Sequence, residues 1–181
     1  MLPAMRCLRL PSAASGLALL ALAAGAETTG QPQIRPGAEV AFMGMTFIDT
    51  STEGAYFGAR PDQAARIGLI EDEVRDELER QGLRVADLAP VRAELDRTKN
   101  PAHCNGCEVR MARELGADYV LVGEVQKVSN LILSMNLVMR EAEGGTPVRG
   151  IAVDIRSNTD TSWLRGIRYI LENHIFTEST G

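Results

Sequence analysis

The chain has 181 residues with a net charge of −5, 45% hydrophobic and 24% charged side chains. That composition suits one folded domain; it is too apolar for a disordered chain and too mixed for a protein of many membrane spans. The acidic balance speaks against nucleic acid, which needs a basic stripe, and two His and three Cys confine metal and nucleophilic chemistry to few places.

The amino terminus reads as an address. Arg6 and Arg9 precede the apolar run from Gly16 to Ala24, and Ala24-Gly25-Ala26 is a small-x-small cleavage site. The run is shorter than the roughly 20 residues a spanning helix requires. Residues 1–26 are therefore expected to be a cleaved signal peptide. The mature protein is expected to be periplasmic and not embedded in the membrane, its partner an unidentified periplasmic protein. Removal of two Arg and no acid takes the charge to −7 and leaves Cys104 and Cys107 as the only cysteines. Residues 27–37, with Gly30, Pro32, Pro36 and Gly37, read as a flexible lead-in, residues 38–176 as a single domain and residues 177–181 as a tail.

Within the domain, Glu39 to Ile48 is a nearly continuous apolar run, expected as a central strand buried on both faces. Asp49 to Arg60 is expected as a polar loop at its carboxyl end, where open α/β sheets place ligands. Ile67, Ile70, Val74 and Leu78 recur at helical spacing between Pro61 and Gln81. Leu83–Ala89 is predicted as a second strand, Pro90–Thr98 as a weak helix and Asn105–Leu115 as a third helix stopped by Gly116. Asp118–Val128 and Leu131–Arg140 are predicted strands joined by a tight turn at Ser129-Asn130. In the second, Leu131, Leu133, Met135, Leu137 and Met139 share one face. Val148–Arg156 closes a three-strand meander, and a last helix from Asp160 to Asn173 supplies Trp163, Ile167, Ile170 and Leu171 to cover the sheet. The predicted fold class is α/β, a mixed sheet of about five strands with helices packed on it.

The segment from Met111 to Val125, with its Leu-Gly-Ala-Asp helix end leading into a strand, resembles the amino-terminal domain of TolB-like periplasmic proteins. The phrases Phe47–Gly54, Cys104-Asn-Gly-Cys107, Gly123–Ile132 and Val153–Asp160 resemble more closely a family of secreted bacterial proteins classed as a domain of unknown function. That resemblance implies a periplasmic location and an association with quinoprotein alcohol oxidation. It assigns no activity.

Cys104-Asn-Gly-Cys107 is the one motif with intrinsic reactivity. In an oxidising compartment the pair is expected as a disulfide. It could be a structural staple, or a thiol-exchange site in which Cys104 attacks and Cys107 resolves, beside His103 and a helix amino terminus. A zinc or copper site on the pair and His103 would be one ligand short of a closed tetrahedron. Haem attachment is excluded because Glu108, not His, follows Cys107. No serine-hydrolase, phosphate-loop or other catalytic or cofactor-binding constellation is present in sequence, so neither catalytic residues nor a cofactor are expected. A second group combines Asp49, Thr50, Thr52 and Glu53 after the first strand with Asp154, Asn158 and Asp160 near the end of the last. It could hold a polar ligand or a hard cation, or could consist of turns and helix caps. Trp163 either packs a helix on the sheet or, with Tyr169, forms a docking face. The functional expectation is an accessory or binding module acting by contact, through a sheet edge or the loop from Asp49 to Glu53; the alternative is a thiol-disulfide protein.

Overall fold

The structure is a computed structural model and describes residues 33–177. The predicted signal peptide, most of the lead-in and residues 178–181 lie outside the described residues. In chain order the elements are β1 (Glu39–Asp49), α1 (Thr52–Phe57), α2 (Pro61–Arg80), β2 (Arg84–Val85), α3 (Arg92–Leu95), α4 (Cys107–Glu114), β3 (Tyr119–Lys127), β4 (Ile132–Glu141), β5 (Pro147–Arg156) and α5 (Asp160–Ile170). The strands form one mixed sheet in the order β2-β1-β3-β4-β5, with β1 parallel to β2 and β3, and β3, β4 and β5 antiparallel in turn. This is the α/β architecture with a carboxyl-terminal meander that the hydrophobic pattern predicts.

Two apolar layers sandwich the first half of the sheet. Ile70, Val74 and Leu78 of α2 and Trp163, Ile167 and Ile170 of α5 cover one face, against Val40, Phe42, Leu121, Leu133, Met135 and Leu137. The other face of β1 and β3 packs Ala41, Met43, Val120 and Val122 against Met111 and Ala112 of α4 and Val91 and Leu95. The β1 run is apolar throughout because both of its faces are covered. In β4 and β5 only one face is covered, which is why their apolar residues alternate.

A bulge in β1 resolves a parity problem in the sequence. Val40 and Phe42 point to the α2–α5 layer, yet so do the odd-numbered Met45 and Phe47. The register shifts between Phe42 and Met45, where Gly44 adopts φ +92°. A Cβ at Gly44 would stand 2.8 Å from Glu71 Oε1, the same oxygen that accepts the Met45 N–H at 2.7 Å. Glycine therefore permits both the left-handed backbone and the close approach of α2.

Several elements depart from expectation for local reasons. The loop after β1 contains α1, because Ser51 caps it by accepting the Gly54 N–H at 3.0 Å. The second strand shrinks to Arg84–Val85: Asp87 turns the chain by accepting the Ala89 N–H, and Pro90 cannot continue a ladder. The weak helix splits into a 3₁₀ turn, Ala89–Val91, and α3. Leu131 falls in the β3–β4 turn and is exposed, so the apolar face of β4 begins at Leu133. The last helix continues beyond α5 as a π turn over Leu171–Ile175. In the lead-in, Ile34 packs on the core and Arg35 pairs with Asp118 at 2.7 Å. Among the described residues no helix is long and apolar enough to cross a membrane.

Candidate functional site

Because β1 and β3 are parallel neighbours, with Asp49 in register with Lys127, the two strands end together. Lys127 continues the β3 parity of Leu121 and Val125, so its stem runs into the α2–α5 layer, and the residue is 0% exposed. A fully buried ammonium demands compensating charge. It donates to Asp49 Oδ2 at 3.1 Å and to Glu53 Oε2 at 3.2 Å. Asp49 is held in turn by the Ser51 N–H and hydroxyl, both donating to Oδ1. Burial pushes the Asp49 carboxyl up, but the two Ser51 bonds and Lys127 outweigh it, and the group ends below the ordinary carboxylate range.

The knot extends across the end of the sheet. Asn130, in the β3–β4 turn, donates to Glu53 Oε2, and its own side-chain oxygen lies 3.5 Å from Asn158 Nδ2. Trp163 Nε1 donates to Asn158 Oδ1 at 3.0 Å. Arg66 of α2 also reaches Asn158, at 3.4 Å, and pairs with Asp62 at 2.9 Å and Asp160 at 2.7 Å. Arg60 lies between Asp62 and Glu53, closing the ring. The Asp62 carboxyl sits below its usual range, chiefly through the bond from Arg60.

The sequence-predicted residues Asp49, Glu53, Asn158 and Asp160 are thus brought together, with the Lys127 ammonium between the first two. Thr50 reinforces the strand pair, its N–H and hydroxyl both donating to the Lys127 carbonyl, at 2.9 and 3.1 Å. Thr52 opens α1 and is exposed. Asp154 stands apart, exposed on β5 opposite Ser134 of β4. Trp163 is fully buried and stacks at a tilt on Phe47, centroids 5.8 Å apart, so a docking face built on Trp163 is ruled out and its role is packing. Lys127, Asn130 and Arg66 were missed in the sequence. Only the parity of β3, which places a lysine in line with Leu121 and Val125, could have flagged the first of them.

The segments that carry this knot also expose large apolar side chains. Tyr56 and Phe57 of α1 are 81% and 76% exposed, and Leu131 of the adjoining turn is 71% exposed, with Val128 and Ile132 beside it in sequence also exposed. These are five of the seven exposed large hydrophobic residues among the described residues. The Glu53–Asn130 hydrogen bond ties α1 to the β3–β4 turn, the two segments around which these residues lie.

Cys104 and Cys107 form a disulfide. Cys107 is the first residue of α4 and is buried; Cys104 precedes the helix. The buried Glu108 carboxylate lies 3.2 Å from Cys104 Sγ, with Arg140 on its other oxygen at 3.7 Å. His103 pairs with Glu124, at 3.0 Å, which also accepts from Asn100 at 2.9 Å. A carboxylate against Cys104 opposes a thiolate there, so the surroundings favour a staple over a nucleophile. Both sulfurs and Glu108 lie close enough to share a metal ion, but joined as a disulfide the sulfurs carry no thiolate charge and are weak metal ligands.

Solved structures similar to this chain include the LpoB carboxyl-terminal domain from Salmonella enterica, 10% identical with a TM-score of 0.49, covering 68% of this chain and 86% of that one. Lipoprotein GNA1162 from Neisseria meningitidis is 15% identical with a TM-score of 0.48, covering 74% and 93%. TolB from Acinetobacter baumannii is 10% identical with a TM-score of 0.38, covering 79% of this chain and 29% of TolB. No curated protein sequence matches the chain. The profile of DUF3280, described as "Protein of unknown function (DUF2380)", matches residues 38–175, and the chain belongs to that family.

Proposed function

We propose that this protein is an accessory or binding protein of the bacterial periplasm that works by protein contact, using the end of the sheet formed by α1 and the β3–β4 turn. The carrying observation is the exposure of Tyr56, Phe57, Val128, Leu131 and Ile132 around two segments tied together by the Lys127 knot. Exposed apolar groups concentrated at one place mark interaction sites, and a rigid frame lowers the entropy lost on docking. Export rests on the Arg6-to-Ala26 leader. The finer link to quinoprotein oxidation rests on the sequence resemblance alone, and a partner identified as a quinoprotein would support it.

The test compares capture from periplasm by the wild type, by a Tyr56→Ser/Phe57→Ser/Leu131→Ser variant and by a Tyr169→Ser control, all with the same circular dichroism. The expected result is one partner held by the wild type and the control and lost by the triple variant. Equal capture by all three would refute the site. Peptide sequencing of the exported chain should begin at Glu27.

A further inference from the structure

The opposite end of the sheet, at the amino ends of β1 and β5, holds an opening of about 430 Å³, within the range of small-molecule sites. Arg149 of β5 lines it beside Gln81, Leu83 and Phe176. Arg149 is only 7% exposed, its Nε is buried with no hydrogen-bond partner, and among the described residues it forms no ion pair. Its one described hydrogen bond, Nη1 to the Val148 carbonyl at 2.8 Å, goes to its own neighbour in the chain. The other arginine at the opening, Arg35, is already matched by Asp118. A guanidinium cannot shed its proton, so burial without a carboxylate leaves a charge and a donor uncompensated. The carboxyl end of α2, at Gln81, supplies partial negative charge but does not satisfy the Nε–H.

We infer that this opening is a binding site for a small organic carboxylate: the acid group accepts from Arg149, and a short apolar tail lies against Leu83 and Phe176. The rest of the wall is Gln33, Ile34, Pro36, Gln81 and Thr177 with Arg35, whose charge Asp118 already offsets, so one unmatched cation remains, which suits a monoacid. The site is independent of the proposed contact surface, which lies at the other end of the strands.

The test is calorimetric titration of the full chain with hexanoate, with hexanamide as the neutral match. Hexanoate is expected to bind and hexanamide to bind at least about tenfold more weakly, since the charged hydrogen bond is the anchor. Arg149→Met, which keeps the stem and removes the charge, should abolish the difference. A second readout needs no folded variant: the Arg149 Nε–H resonance of the wild type should shift on adding hexanoate, and hexanamide should need at least about tenfold more ligand to move it as far. Absence of hexanoate binding, equal binding of both probes, or an unmoved Arg149 resonance would overturn the inference. Glu178→Gln, just beyond the described residues, should leave the affinity unchanged; tighter hexanoate binding in that variant would place the carboxylate on the chain itself and overturn the assignment to a free acid.

Discussion

Replacing Lys127 by Met tests the central feature of the proposed contact end. Methionine preserves most of the buried stem and deletes the ammonium that lies 3.1 and 3.2 Å from two carboxylates. Removing one partner of a buried ion pair costs about 3–5 kcal/mol, because the charge left behind has been taken from water. Here the stranded groups are Asp49 and Glu53, whose side chains are 15% and 31% exposed, and each keeps other donors: Ser51 for the first, Asn130 and Arg60 for the second. The lower end, about 3 kcal/mol, is therefore expected. For a domain of this size that is a fall in Tm of roughly 6–12 °C. Urea denaturation followed by the fluorescence of Trp163, the single tryptophan, reads it directly, since its indole is bonded to Asn158 of the same network. Adding Asp49→Asn and Glu53→Gln to Lys127→Met removes the stranded charge, and the triple variant should recover most of the loss. A Lys127→Met protein within about 0.5 kcal/mol of wild type, or a triple variant no more stable than the single, would refute the reasoning.

The depressed Asp49 carboxyl has a pH consequence: as pH falls the unfolded chain takes up this proton first, so the contribution is complete above the ordinary carboxylate value of about 4 and is lost as pH falls through the lower folded value. Denaturation midpoints measured from pH 5 down to pH 2 should fall, and Asp49→Asn should flatten the profile. Glu73, held low chiefly by Arg168, acts in the same direction. Reduction of the disulfide, or a Cys104→Ser/Cys107→Ser pair, releases a loop of four residues and should cost about 2 kcal/mol in urea denaturation without altering partner capture. Gly123→Ala places a methyl 2.3 Å from Met45 Sδ and 2.7 Å from the Asn136 carbonyl, and since the second neighbour is backbone it should destabilise by about 1–3 kcal/mol. By contrast Tyr56→Ser, at a position 81% exposed, should change stability by less than about 0.5 kcal/mol.

Hydrophobic period was enough to locate the longer elements of this fold. Ile70, Val74 and Leu78 repeat at helical spacing and are fully buried; Leu133, Met135, Leu137 and Met139 alternate and are fully buried as well. Each pattern records a face that must leave water, a property of the local sequence. Shorter elements were harder to place because their formation depends on a cap or a neighbour: α1 needs the Ser51 cap, and β2 has only two residues laid against β1. The acidic loop after β1 was also legible as a place where chemistry could gather, since the carboxyl end of a buried strand is visible in sequence.

What that loop contains was decided by tertiary structure. Asp49 and Lys127 stand 78 positions apart, and Arg66 and Asp160 are 94 apart. Their pairing follows from the parallel register of β1 with β3 and from the packing of α2 beside α5, neither of which one segment encodes. The same holds for Trp163, whose burial depends on Phe47 across the layer, and for Arg149, whose lack of an ion pair among the described residues appears only when its surroundings are assembled. Periodicity reports how strongly each residue avoids water. Which charges are taken from water together, and which one is left without a counterpart, depends on distances that arise only when the sheet closes.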